Sequence, residues 1–363
     1  MDGLIESIND FKIDGYGYAL IIKLVEMRVL ADIETTEKRL NEAGQKLIKL
    51  KNNDTIFVNI KISMIQKDIS KLQLETNNKK IWLSKWIHMS WKSIEEYNTY
   101  QVKEKSIQQI LSKFNENEEN ILKKYLILQE AVLTPIYAEL EGFPKGISEI
   151  DQYHNCEVIS EAIEFPRNLG KSILKNTESF LKGLNNHWDK MFKWAVAGVA
   201  VTVITAGIAA PAIAGAVGGV MGLHGAAATA AGFAFFGGGA IASGGFGMAG
   251  GLSVIIGGGS ILGAVGGFNI AKMIGDIQHE YISISMIKIA NYISYLSTVE
   301  EPNKQKSQQI IKRIVNKFLN LKHNIETETL LGNCNNDIDK YLKTIKTMDY
   351  TYGKLIEYLI KKQ

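Results

Sequence analysis

The chain has 363 residues, enough for two or three ordinary domains, with 41 basic and 38 acidic residues, a formal net charge of +3 and 46% hydrophobic content. So mild a basic excess argues against binding duplex DNA over a whole face. Its two cysteines, Cys156 and Cys334, lie far apart with no C-x-x-C and no histidine pair beside them, a pattern that argues against both a disulfide framework and a metal site.

The first residues, Met1-Asp2-Gly3-Leu4-Ile5-Glu6, are acidic and lack a basic stretch followed by an apolar one. The expectation is a chain without a secretory signal that starts in the cytoplasm. With only five prolines and long Leu/Ile patterns at helical spacing, the regions on either side of the middle read as all-α. Ile33, Leu40 and Leu47 recur at seven-residue steps in a helix over about 17–52, and Val58, Ile62, Ile65, Ile69 and Leu72 alternate steps of four and three in a second. Together they predict a coiled-coil seam. The helical pattern runs on to about Phe114, and a third helix continues to a break at Gly142-Phe143-Pro144, with Pro135 kinking its end. A fourth, over about 157–188, leads into the middle of the chain.

From Trp194 to Ala271 there are 78 residues without one Asp, Glu, Lys or Arg, and this block holds about two thirds of the glycines. A soluble interior of that length would keep returning to water and show charges. A bilayer removes water from every side of a helix and makes a central charge cost roughly 2.5–3.5 kcal/mol or more. About 20 helical residues span a hydrocarbon core, so the block predicts two crossings, Trp194 to Gly222 and Leu252 to Gly275. The intervening Leu223 to Gly251 contains Gly237-Gly238-Gly239, Gly244-Gly245 and Gly250-Gly251, which make poor helix. Because unpaired backbone cannot face lipid, this part reads as a short or re-entrant helix, or a loop lining a water-filled path.

Small residues recur every four positions in both spans: Gly207, Pro211, Gly215 and Gly219 in the first, Gly259, Gly263, Gly267, Ala271 and Gly275 in the second. Such ladders let one helix backbone approach another closely, and they mark Gly207, Gly215, Gly219, Gly259, Gly263 and Gly267 as packing residues. Lys182, Lys190 and Lys193 before the block and Lys272 at its end place both flanks on the cytoplasmic side. Trp188, Phe192 and Trp194 fit an interfacial anchor. Candidate pore-lining side chains are Thr202, Thr205, His224, Ser243, Ser253 and Ser260, although for His224 a neutral ring hydrogen-bonded at a helix end is the preferred reading.

After the block, a helix over about 270–298 ends at Glu300-Glu301-Pro302-Asn303. Ile311, Ile314, Phe318, Leu321 and Ile325 define the next helix, and Ile338, Leu342, Ile345, Tyr352, Leu355 and Leu359 a last one over about 336–361.

No catalytic constellation stands out, and the chain reads as a non-enzyme without a cofactor. Gly170-Lys171-Ser172 resembles the end of a phosphate-binding loop, but Phe165 stands where that motif needs its first glycine and Pro166 and Arg167 fill the loop. One soluble cluster, Lys79, Lys80, Trp82, Lys85, Trp86, Trp91 and Lys92, places three tryptophans in ten residues among lysines. Aromatic planes stack on bases while lysines hold phosphates, so Lys79, Lys80, Trp82, Lys85, Trp86 and Lys92 form a candidate site for a nucleotide or short oligonucleotide. A helix that packs its Trp face inward and solvates its lysines explains the same pattern, and that reading is preferred.

The order of long helices, Gly/Ala-rich apolar insertion and further long helices resembles bacterial α-helical pore-forming toxins of the haemolysin BL and non-haemolytic enterotoxin type. The missing secretion signal and the cytoplasmic charge pattern look more like a membrane-channel effector of bacterial anti-phage defence of the Hailong type. That second resemblance implies a channel held closed by a nucleotide-derived ligand and opened during infection. The expected organisation is an all-α long-helix bundle with a coiled coil and a central Gly/Ala-rich transmembrane hairpin: soluble helices over 1–193, a membrane region over 194–275 and soluble helices over 276–363 that pack on the first set. The expected function is a homo-oligomeric ion channel in the bacterial inner membrane that depolarises it, its soluble helices cytoplasmic. The alternative is a secreted toxin that converts from soluble to membrane-inserted form.

Overall fold

The computed structural model describes residues 13–50, 56–93, 100–117, 120–134, 136–137, 147–184, 224, 279–332 and 338–360. Among these the chain is all helical, with no strand. The helices are α1 (Gly15–Leu50), α2 (Ile56–Ser93), α3 (Tyr100–Lys103), α4 (Ile107–Asn115), α5 (Asn120–Leu133), α6 (Gln152–Ala162), α7 (Asn168–Gly183), α8 (His279–Leu296), α9 (Lys304–Leu330) and α10 (Ile338–Ile360). The candidate crossings and glycine ladders over 194–275 lie outside the described residues, His224 excepted. No helix among the described residues is long and apolar enough to cross a membrane.

α1 and α2 pair as an antiparallel hairpin, as Lys80 reaching Glu37 at 2.7 Å and Lys79 reaching Asp32 at 2.7 Å require across so short a connection. The seam expected from the heptads is present but only half-buried at Leu40, Leu47, Val58, Ile62, Ile65, Ile69 and Leu72. The reason is geometric. Buried positions of α1 stop at Thr36 and those of α2 begin at Thr76, so beyond these points each helix has one partner and the seam has no third wall.

Two boundaries differ from the periodicity reading. The pattern up to Phe114 is not one helix, because Ser106 starts α4 with a capping box: its hydroxyl accepts from Gln109 N at 3.2 Å, and Gln109 Oε1 accepts from Ser106 N at 2.9 Å. The helix expected over 157–188 is two. Pro166 cannot continue α6 and biases Phe165 away from helical backbone, while Glu164 takes a left-handed φ of 63°. α6 also begins earlier, where the Asp151 side chain accepts from His154 N at 3.1 Å.

α8 is the axis of the bundle. Every residue from Ser285 to Ile293 is buried, and α5, α7, α9 and α10 surround it. Side chains from both flanks of the apolar block therefore share one core. The senses of the helices follow from ordered pairs of contacts. Phe165, just ahead of α7, meets the Tyr295 ring edge-on at 5.9 Å, whereas Thr177, further along α7, accepts from Asn291 Nδ2 at 3.0 Å, earlier in α8. α7 and α8 run in opposite directions. Tyr125 stacks on Tyr295 at 4.3 Å and Glu130 reaches Lys288, so α5 opposes α8 too. The C-terminal end of α7 and the N-terminal end of α8, which bracket 185–278, thus face one end of the bundle.

Candidate functional site

The side chains that anchor α8 carry most of the buried polar chemistry in this half of the molecule. Lys288 and Glu130 form a direct ion pair with both groups withdrawn from water. Three residues on, Asn291 binds Thr177, whose hydroxyl in turn donates to Ile173 O at 2.8 Å. One polar contact thus ties α8 to α5 and another ties it to α7. Around them Tyr125, Tyr292 and Tyr295 stack, with Tyr125 to Tyr292 at 6.0 Å, and burial holds the Tyr125 hydroxyl well above the ordinary tyrosine range. Polar contacts of this kind specify register. An apolar helix in an apolar groove could slide by a turn, but Lys288 can meet Glu130 at one register only.

A second network ties Thr134, Tyr137, Glu149 and Ile150 to the root of the α1–α2 hairpin. Arg28 holds the Glu149 carboxylate with both arms of its guanidinium, at 2.9 and 2.6 Å, and donates through Nη1 to the carbonyls of Ala131, Val132 and Thr134 at 3.0, 2.8 and 3.0 Å. It thereby satisfies the end carbonyls of α5, which have no partner within the helix. Burial alone would lower the Arg28 pKa; the groups around it, Glu149 foremost with Asp32 beyond, together outweigh burial and raise it. One helical turn later, Asp32 accepts from Tyr137 Oη at 2.8 Å and Ile150 N at 2.7 Å and pairs with Lys79. Burial, with Asp32 next to it, drives the Tyr137 hydroxyl far above its usual range.

The Lys/Trp cluster divides between these environments. Lys79 is fully buried, bound to Asp32, to Glu75 at 3.1 Å and to Thr36 Oγ1 at 2.9 Å. Trp82 and Trp86 are buried as a stacked pair with centroids 6.0 Å apart, and Tyr137 closes on Trp82 edge-on at 5.3 Å. Trp91 is buried as well. The faces of Trp82 and Trp86 meet protein aromatic rings, so the described residues present no open stacking platform at this pair. Lys80 and Lys85 are on the outside, and the side chain of Lys92 lies outside the described residues.

Of the candidate pore and packing residues, Gly207, Gly215, Gly219, Gly259, Gly263, Gly267, Thr202, Thr205, Ser243, Ser253 and Ser260 lie outside the described residues, and His224 is exposed. The glycine of the rejected phosphate-loop likeness has a packing role. Gly170 N donates to Ser160 Oγ at 2.9 Å, and a Cβ there would stand 2.3 Å from the Cys156 carbonyl oxygen, so the residue sets how closely α6 and α7 approach. No group of His, Cys, Asp and Glu among the described residues could hold a metal ion.

Sequence reasoning overlooked Glu130, Lys288 and Asn291. The available signal was Met286-Ile287-Lys288-Ile289-Ala290, a lone cation inside an apolar run, which in a folded chain demands a buried partner. Residues 187–351 match a family described as "Protein of unknown function (DUF726)". The matched span contains the apolar block, α8, α9 and the first half of α10, and leaves α1–α7 outside it. No curated protein and no solved structure matches the chain.

Proposed function

We propose that the chain is the subunit of a homo-oligomeric membrane channel whose apolar block over 194–271 crosses the bilayer twice, with the helical bundle on one side controlling its opening. The observation that carries this reading is the opposed packing of α7 and α8. A 78-residue stretch without a charge leaves and re-enters one bundle at the same end. A segment that departs and returns on one side of a membrane must cross an even number of times, and two crossings match its length. The Gly259, Gly263 and Gly267 ladder supplies the close helix contact inside lipid. Lys182 and Lys272 put the bundle on the cytoplasmic side of a bacterial inner membrane.

The mechanism needs no catalytic group. Copies assemble through the ladder helices, ions pass along a path lined by backbone and by hydroxyls such as Thr202, Ser253 and Ser260, and the membrane depolarises. α8 follows the returning span in the chain and holds the Glu130 and Thr177 contacts, so movement of the bundle would reach the pore through α8. The setting that the architecture resembles is an anti-phage effector that stops the growth of an infected cell.

The test is conductance of the purified full chain in planar bilayers, with topology read in cells. Cysteines at Lys182 and at Tyr281 should both resist an impermeant reagent added outside intact cells and both react in inverted vesicles. A chain that conducts nothing, or one that labels from opposite sides at the two positions, sinks the proposal. A soluble monomer obtained without detergent that later inserts would favour the toxin reading.

A further inference from the structure

The α1–α2 hairpin stands out from the bundle as an arm. From Glu37 to Leu50 α1 has no fully buried residue and extends the arm by about 20 Å. Its root is the opposite. Arg28, Asp32 and Lys79, three charged side chains, are all withdrawn from water there. Tyr137, whose hydroxyl donates to Asp32, is held at φ 59°, a left-handed backbone that a bulky residue rarely adopts.

Two buried routes lead from this root to α8. In the first, Arg28 Nη1 donates to the Thr134 carbonyl at 3.0 Å, and Thr134 donates through N and Oγ1 to the Glu130 carbonyl at 2.9 and 2.8 Å. The Glu130 carboxylate then pairs with Lys288. In the second, the Glu149 carboxylate gripped by Arg28 also accepts from Asn155 Nδ2 in α6 at 3.0 Å. Ser160 of α6 accepts from Gly170 N in α7 at 2.9 Å, and Thr177 of α7 accepts from Asn291. The routes meet α8 at Lys288 and Asn291, within one turn of each other.

We infer that the hairpin is the input arm of the molecule and that Arg28 is the joint through which the position of the arm sets that of α8. Apolar faces tolerate small slips, whereas hydrogen-bonded charges out of water have few arrangements, because an intermediate one leaves them unpaired. An arm that swings takes the guanidinium from Glu149 or from the α5 carbonyls, and each departure disturbs a route to α8. The matched family span, 187–351, contains the block and α8 and none of Arg28, Glu130, Glu149 and Thr177, so input and output are separate pieces of the chain. Arg28 is a positioning residue that acts through Thr134 and Glu149.

This inference deepens the channel reading, which supplies what α8 controls, and the test separates the two. The full chain is followed by amide hydrogen exchange, with conductance in planar bilayers recorded alongside. Arg28→Lys keeps the charge but cannot hold two carboxylate oxygens and three carbonyls at once. It should speed exchange in α8 by roughly fivefold or more and leave α9 as in the parent. Coupling is reciprocal, so Lys288→Met should speed exchange around Arg28 by a similar factor, and the double variant should be no faster in either place than the faster single. Glu149→Gln is a milder break of the same joint that should give the Arg28→Lys pattern at smaller size, and it carries the test if Arg28→Lys does not fold. Unchanged α8 exchange in these variants overturns the inference alone. So does acceleration spread evenly over α9 and α10, or effects that multiply in the double, since either makes the two residues independent contributors to stability. Reciprocal exchange in a chain that conducts nothing overturns the channel reading alone.

Discussion

Lys288 in the central helix α8 is paired with Glu130 in α5, across 158 residues of sequence and with the whole apolar block between them. Both groups are withdrawn from water, so removing either leaves the other's buried charge without this close counter-charge. The pair makes α8, the first described helix after the apolar block, answer to the N-terminal half of the bundle.

Removing one partner, as Glu130→Gln or Lys288→Met, should destabilise the chain by about 3–5 kcal/mol, whereas Glu130→Leu combined with Lys288→Met should restore or exceed parental stability. Urea denaturation of the four proteins closes the cycle. If the singles are as mild as the double, the pair is not a coupled buried contact. In planar bilayers the singles should open more readily than the double.

Gly170→Ala should cost about 1–3 kcal/mol, because the added methyl meets the Cys156 carbonyl oxygen, a backbone atom that cannot rotate away. Gly44→Ala, in the exposed arm of α1 where a Cβ meets nothing within 4 Å, should instead be neutral or slightly stabilising. Thermal melts of the two variants distinguish them, and equal shifts would remove the packing role assigned to Gly170.

Burial pushes the Cys156 thiol up to about 12 even though Arg28 pulls it the other way. Its folded pKa is raised, so its contribution to stability is complete below the unfolded value near 9 and is lost as pH rises from there toward 12. Below pH 9, iodoacetamide should modify Cys156 in urea and leave it intact in the native chain. Rapid native alkylation at pH 8, read by mass spectrometry, would contradict the burial.

Trp86→Ala should cost about 3–5 kcal/mol through lost packing against Trp82, while Lys85→Glu should stay within about 0.5 kcal/mol. Short single-stranded DNA and cyclic nucleotides should leave the tryptophan fluorescence of the native chain unquenched, since stacking requires a face that Tyr137 and Trp82 occupy. Quenching that is lost in Lys85→Glu would reinstate a ligand at this helix.

Much of the architecture was legible because it depends on local chemistry repeated many times. The steps of three and four through Ile311, Ile314, Phe318, Leu321 and Ile325 declare a helix with one buried face, and α9 buries Ile314, Phe318, Leu321 and Ile325. The break inside 157–188 is set by Pro166 and the start of α4 by the Ser106 cap; both are single residues inside an otherwise persuasive period. The Lys/Trp segment shows the limit more sharply. A helical wheel puts Lys79 and Trp82 and Trp86 on one side, but whether that side faces a base or Tyr137 depends on a residue more than fifty positions away.

By itself the sequence determined that the chain is helical on both flanks and that 78 consecutive residues avoid charge, since periodicity and composition are properties of neighbours along the chain. Only the tertiary structure decided that Lys288 finds Glu130, that Arg28 closes α5, and that α7 and α8 oppose each other so that both ends of the block face one way. Those relationships are set by which helices meet and in what direction. A buried charge or a helix end is indifferent to sequence distance and answers only to the group placed beside it.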